Sequence, residues 1–133
     1  MKTISSLIIS LFVVLISGIP SPAIAQEPVG QGRVDTEIKV LGICGMCKDR
    51  IERAAFSVRG VRSASWDQKQ QLLTVNFRAD RTSQEEIERS IAKAGHDTEH
   101  FITDEETYSN LHSCCKYPRD PEMLRNNKLY NQE

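Results

Sequence analysis

From residue 36 the chain alternates apolar and polar side chains: "TEIKVLG" (36–42) puts Ile38 and Val40 on one face, as a first strand. At Met46 the period changes. Cys47, Ile51, Ala54, Ala55 and Val58 recur at i, i+4, i+7, i+8 and i+11, the stripe of an amphipathic helix, which Arg59-Gly60 stops. "VRSASWD" (61–67) faces Ala64 and Trp66 the same way. "QKQ" is a turn, and "LLTVNF" (72–77) alternates Leu73, Val75 and Phe77, so two more strands follow, with Trp66 and Phe77 in the core. Ser83 with Glu86 three residues on reads as a capping box. The second helix then carries Ile87, Ile91 and Ala94 inward and stops at Gly95. "HDTEHFIT" (96–103) is a weaker fourth strand, and a short third helix is predicted over residues 104–112. From Pro118 the chain is polar and aperiodic, which predicts a flexible tail over 118–133.

The order β-α-β-β-α-β over residues 35–103 predicts an α+β, ferredoxin-like sandwich. Two helices lie on one face of a four-stranded antiparallel sheet. A short helix and a Cys-Cys segment (104–117) come after it.

The first 25 residues belong to no such element. Met1-Lys2 supplies a short positive start, an uncharged apolar run follows over residues 4–19, and Ala23-Ile24-Ala25 closes the stretch, the pattern of a secretory signal peptide cut after Ala25. The run falls short of the roughly 20 residues that a membrane span needs. No stable membrane insertion is therefore expected after cleavage, and the mature chain is expected in the periplasm. Residues 26–34, "QEPVGQGRV", read as a linker. A chain of 133 residues and net charge -1 allows one domain. Removing the leader leaves 16 basic and 18 acidic residues, so nothing suggests nucleic-acid binding, and a monomer is expected.

Export gives the four cysteines their meaning. In an oxidising compartment four cysteines often make two disulfides. The spacing argues otherwise. Cys44 and Cys47 would close a tiny loop that removes little entropy from the unfolded chain, and a bond between the neighbours Cys114 and Cys115 would be strained. The pattern suits metal ligands or reactive thiols. Cys44 and Cys47 sit at a helix N-terminus, where thiolates are favoured. Two soft thiolates there can grip one soft ion, Cu(I), Hg(II) or Zn(II), and offer little to a hard ion.

The element order, the CxxC at the first loop, "GVRSASWD" and "SIAKAGHDTE" together resemble the heavy-metal-associated (HMA) domain. That family includes copper chaperones, metal-binding domains of P-type ATPases and exported mercury-binding proteins. The resemblance implies that Cys44 and Cys47 are the metal ligands. It also implies a partner that is a metal-transporting membrane protein or another metal-binding domain, and a carrier rather than an enzyme. One departure stands out. The family usually shows G-M-x-C-x-x-C, whereas this chain reads Gly42-Ile43-Cys44-Gly45-Met46-Cys47, with Ile43 in the Met position and Met46 between the cysteines.

Other residues remain open in the sequence. The turn after the second helix faces the metal loop in this family, and here it carries His96, a third ligand, a donor to a thiolate, or a solvated turn residue. Cys114 and Cys115 either fold back onto the CxxC to make a larger site, which His112 could also close, or remain independent thiols in a tail. His100 reads as plain surface, and Lys48, Arg50 and Arg53 as a solvated helix face. The competing class is a thiol–disulfide redox protein. "CGMCK" resembles the thioredoxin "CGPCK", but no βαβ unit fits ahead of Cys44 and no proline lies between Pro28 and Pro118.

Overall fold

The structure is a computed structural model that describes residues 32–132. The predicted leader (1–25), residues 26–31 of the predicted linker and Glu133 lie outside the described residues. The elements run β1 (Arg33–Lys39), α1 (Gly45–Ser57), β2 (Val61–Asp67), β3 (Leu72–Arg78) and α2 (Gln84–Lys93). β4 (Phe101–Ile102), α3 (Glu105–Ser109), a 3-10 turn (Ser113–Cys115), α4 (Pro121–Asn126) and β5 (Lys128–Leu129) follow.

β1, β3 and β2 form an antiparallel sheet in that spatial order. Register puts Ile38 and Trp66 on either side of Leu73, and Thr36 and Ala64 on either side of Val75, so the strand alternations meet on one face. The helices cover that face with Cys47, Ile51, Ala54 and Ala55 of α1 and with Ile87, Ile91 and Ala92 of α2, all buried. The small side chain at Ala54 lets the helices approach, and the Ser90 hydroxyl of α2 donates to the Ala54 carbonyl at 2.8 Å. The capping box is half formed. Ser83 accepts from the Glu86 N–H at 3.3 Å, but the Glu86 carboxylate takes the Thr82 hydroxyl instead of returning to Ser83.

This is the predicted α+β ferredoxin-like arrangement, with four differences. First, β1 begins at Arg33, inside the predicted linker (26–34), because Arg33 and Val34 pair with Arg78 and Phe77. Second, the fourth strand is reduced to a single antiparallel bridge between Val40 and Thr98. The reason is local: Thr98 and Phe101 exchange hydrogen bonds, the Thr98 N–H to the Phe101 carbonyl at 2.7 Å and the Phe101 N–H to the Thr98 hydroxyl at 3.1 Å, and this turn ends the pairing with β1.

Third, the helix predicted over 104–112 stops at Ser109. Leu111 then drops into the core against Gly95, where any Cβ would meet it at 2.6 Å. Fourth, the segment expected to be loose from 118 is structured through residue 132. Asp120 caps α4 by accepting the Glu122 N–H, Pro121 takes the first helical position, and Met123 is buried. β5 pairs in parallel with β4, and the Arg89 guanidinium of α2 donates to the Tyr130 carbonyl at 2.9 Å. Among the described residues no helix is long and apolar enough to cross a membrane.

Candidate metal centre

The β1–α1 loop lies on Trp66. At Gly42 a Cβ would stand 3.0 Å from both the Cys47 Cβ and the Trp66 ring, so any side chain there would push the loop a few tenths of an ångström off its seat. Trp66 is itself fixed: its indole N–H donates to the Val40 carbonyl at 3.0 Å and its backbone N–H to Glu52 at 2.8 Å. The β2–β3 turn clamps the loop from the other side. Gln71, held at φ 56°, accepts the Gly42 N–H at 2.9 Å and donates to the Gly42 carbonyl at 2.6 Å. Gln68 donates to the Ile43 carbonyl at 2.7 Å.

This loop delivers Cys44 to the N-cap of α1 and Cys47 to its first turn. Their sulfurs are 3.3 Å apart. Cys47 is fully buried and accepts from the Ile43 N–H at 3.5 Å. Burial opposes ionisation of Cys44, but hydrogen bonds from the Cys47 backbone N–H and from the Cys47, Cys115 and Cys114 thiols outweigh it and bring its pKa down to about 7.

A second segment arrives from the far side. Residues 111–119 form a strap anchored by the buried Tyr117 and the half-buried Arg119. The Tyr117 hydroxyl accepts the Asp97 N–H at 2.8 Å and donates to the Gly95 carbonyl at 3.1 Å. Arg119 makes a two-pronged ion pair with the buried Asp97 carboxylate, both contacts at 2.9 Å, and donates to the Thr103 carbonyl at 2.7 Å. The intervening 3-10 turn puts both its cysteines on the loop. Cys114 and Cys115 each lie 3.7 Å from the Cys44 sulfur and 3.9 Å from one another. All four are free thiols. Burial pushes the Cys115 thiol far up, and the Cys44 sulfur beside it adds to the shift; Cys114 moves up for the same two reasons.

The thiol donors of Cys44, Cys47 and Cys115 all lie within 4.8 Å of one another. Three sulfurs at this separation can close on one soft ion. Cys114 lies at the rim, half-buried, with His112 Nδ1 at 3.2 Å and the Met46 thioether at 3.4 Å from its sulfur. Met46 is 47% exposed, so its thioether stays at the surface of this rim.

His96 is brought near the loop but not into the thiol group. It is fully buried, stacks on Tyr117 at 5.5 Å, and donates from Nδ1 to the Leu41 carbonyl at 2.9 Å. That bond fixes the neutral tautomer, and burial lowers the ring's pKa to about 4. Nε2 is left without a partner among the described residues. His100, expected to be plain surface, binds the buried Glu88 carboxylate at 2.9 Å, which raises its pKa, while Glu88 also accepts from Thr98 and Gln84. This second cluster is consumed in holding the turn at Thr98. Lys48, expected on a solvated face, ties α1 to β2 by donating to the Trp66 carbonyl at 2.8 Å.

Sequence reasoning missed the parts that aim these thiols: Gln71, Asp97, Tyr117 and Arg119. The only local signal was the pair Tyr117 and Arg119 directly after the Cys-Cys step, in a stretch whose polarity reads as solvent-exposed.

Among known proteins, the family model of the heavy-metal-associated domain matches residues 37–97. No curated protein gives a significant match. Three similar solved structures illustrate the overlap. A CopZ metallochaperone is 24% identical, covering 49% of this chain and 98% of its own, with a TM-score of 0.48. A copper-binding domain from HMA7, a P-type ATPase, is 30% identical over 49% of this chain and 89% of its own, with a TM-score of 0.47. Oxidised MerP from Ralstonia metallidurans CH34 is 22% identical over 50% of this chain and 93% of its own, with a TM-score of 0.48. The match begins inside β1, includes Cys44 and Cys47, and ends at Asp97, before Thr98 and the strap. Residues 37–97 are a heavy-metal-associated domain.

Proposed function

We propose that this protein is an exported, non-enzymatic carrier or scavenger of a soft metal ion, Cu(I) in the first place, with Hg(II) and Zn(II) as chemically compatible cargo. The observation that supports it is the group of three thiols, Cys44 and Cys47 at the β1–α1 loop of a heavy-metal-associated domain and Cys115 on the strap packed against it. Soft thiolates select such ions over hard ones. Metal would enter and leave by ligand exchange, in which a partner's thiolate attacks the bound ion while one protein sulfur lets go. The natural partner is a metal-transporting membrane protein or another metal-binding domain. The signal-peptide pattern read at residues 1–25 supports work in the periplasm. Two ligands on one side of the cleft and a third on a separately anchored strap suit retention: opening the strap converts a three-thiolate site into a two-thiolate one that a partner can strip.

The test is an anaerobic competition titration of Cu(I) against a thiol chelator. The variant carrying Cys44→Ser and Cys47→Ser should lose tight binding while its circular dichroism stays that of the wild type. Unchanged affinity would overturn the reading. A disulfide-reductase assay on the wild type separates the redox alternative, which requires turnover that the carrier reading does not.

A further inference from the structure

Resting on that soft-metal reading, we infer that the four thiols form a two-ion centre for Cu(I) within one chain, with Cys44 and Cys115 bridging.

The geometry of the sulfurs decides between one ion and two. A tetrahedral four-thiolate ion with bonds of about 2.3 Å needs all six sulfur–sulfur edges near about 3.8 Å. Cys44–Cys114 and Cys44–Cys115 at 3.7 Å and Cys114–Cys115 at 3.9 Å meet that demand. Cys44, Cys47 and Cys115 also lie within 4.8 Å of one another, but that group does not extend to Cys114. Cys114 is close to two of those three, so the edge that fails is the one to Cys47. The sulfurs therefore do not form a tetrahedron. They form two triangles that share the Cys44–Cys115 edge.

Each triangle suits its own ion. Three thiolates in a plane around an ion at about 2.3 Å stand about 4.0 Å apart. The outer triangle, Cys44–Cys114–Cys115, has edges of 3.7, 3.7 and 3.9 Å, already close to that size with no ion to hold it. The inner triangle, Cys44–Cys47–Cys115, has edges of 3.3 and 3.7 Å and a third within 4.8 Å. Two ions with Cys44 and Cys115 shared give each three sulfurs.

Charge points the same way. One Cu(I) on three thiolates carries a net charge of -2, and pulling in a fourth thiolate would make it -3. Adding the fourth thiolate together with a second Cu(I) leaves the charge at -2. The thiols release one proton each as they bind, so no oxidant or reductant is involved.

The outer triangle alone has further soft and borderline donors beside it, the Met46 thioether and His112 Nδ1, next to Cys114. The inner triangle uses neither. The burial is unequal as well: Cys47 and Cys115 are fully buried and Cys114 is half-buried. The inner ion is thus the retained one, and the outer ion is the one loaded second and surrendered first.

The test is an anaerobic Cu(I) titration of the full chain followed by native mass spectrometry, with X-ray absorption at the copper edge. The expected result is two coppers in the monomer mass, with a copper–copper scattering path that appears only after the first equivalent. Cys114→Ser and Cys114→Ala should both stop at one copper, with no such path and with three sulfur neighbours around that copper. A wild-type monomer that stops at one copper overturns the inference and leaves the carrier reading standing. So does a second copper retained in both Cys114 variants, or a two-copper species found only in a dimer. No copper at all in the wild type overturns both.

Discussion

Replacing Arg119 by methionine removes no sulfur and no residue of the CxxC loop, yet it should unlatch the site. The guanidinium makes two contacts of 2.9 Å to Asp97, one of 2.7 Å to the Thr103 carbonyl and a more exposed one of 3.1 Å to Glu105. It also lies 4.8 Å over the Tyr108 ring. Asp97 is fully buried, and its other support is the Thr103 N–H at 2.9 Å. Taking away one partner of a buried ion pair strands the other, at a cost of about 3–5 kcal/mol. The whole domain has a stability of only about 5–15 kcal/mol. The cheapest relief is local: the strap lifts, Asp97 meets water, and the α/β layer stays folded. At about 1.4 kcal/mol per factor of ten, even the lower figure raises the population of the open strap about a hundredfold. The assay is the rate at which a thiol reagent modifies Cys115, which is fully buried in the wild type. Its rate in Arg119→Met should rise by about that factor while far-ultraviolet circular dichroism is unchanged. Adding Asp97→Asn removes the stranded charge and should restore much of the protection. If Cys115 in Arg119→Met is modified at the wild-type rate, the ion pair does not hold the strap and the reasoning fails.

Three shorter predictions follow from the same geometry. Cys115→Ser, loaded with one equivalent of Cu(I), should release it to a chelator at least about tenfold faster, because a tethered thiolate acts at millimolar effective concentration; stopped-flow transfer measures this, and an unchanged rate would count against a third ligand. Gln71→Gly relieves the positive φ at that position but removes both bonds to Gly42, so it should still destabilise the protein, by about 1–3 kcal/mol, and speed alkylation of Cys44, whereas stabilisation in urea would mean that the clamp is idle. His96 has a folded pKa near 4 against about 6.5 unfolded, so the unfolded state binds the extra proton and stability must fall as pH drops through the window from about 6.5 to about 4, by up to about 3 kcal/mol; Arg50 and Asp97 act on the ring with opposite signs, and the difference between wild type and His96→Asn in urea midpoints at pH 7 and pH 5 isolates the term, an equal pH dependence in both ruling it out.

The half of the chain from β1 to α2 was legible because its order is local. Period-two and period-3.6 patterns, a capping serine at Ser83 and a stop at Gly95, held at φ 104°, each act within a few residues. The fourth strand was overestimated because the exchange between Thr98 and Phe101, which no periodicity reveals, turns the chain away from β1. The tail was misread for the opposite reason. Its polarity looks like a solvated segment, but Arg119 is spent on Asp97 and Asn127 on the Thr98 carbonyl, at 2.9 Å, contacts that depend on residues 22 and 29 positions away. The route of Cys114 and Cys115 was thus only half visible. A helix running back from Asp104 was the expected path, and the chain instead uses a five-residue helix, the burial of Leu111 and the Tyr117 latch. At His96 the position was legible and the bonding was not, since nothing local says that Nδ1 meets the Leu41 carbonyl.

The number of sulfurs around a single bound Cu(I) tests the central claim most directly. X-ray absorption at the copper edge, on the full chain loaded anaerobically with one equivalent, should give three sulfur neighbours, falling to two in Cys115→Ser. Two sulfurs in both proteins, or a shell of nitrogen and oxygen in the wild type, would contradict the account, because Cys44, Cys47 and Cys115 would then be neighbours without being a site.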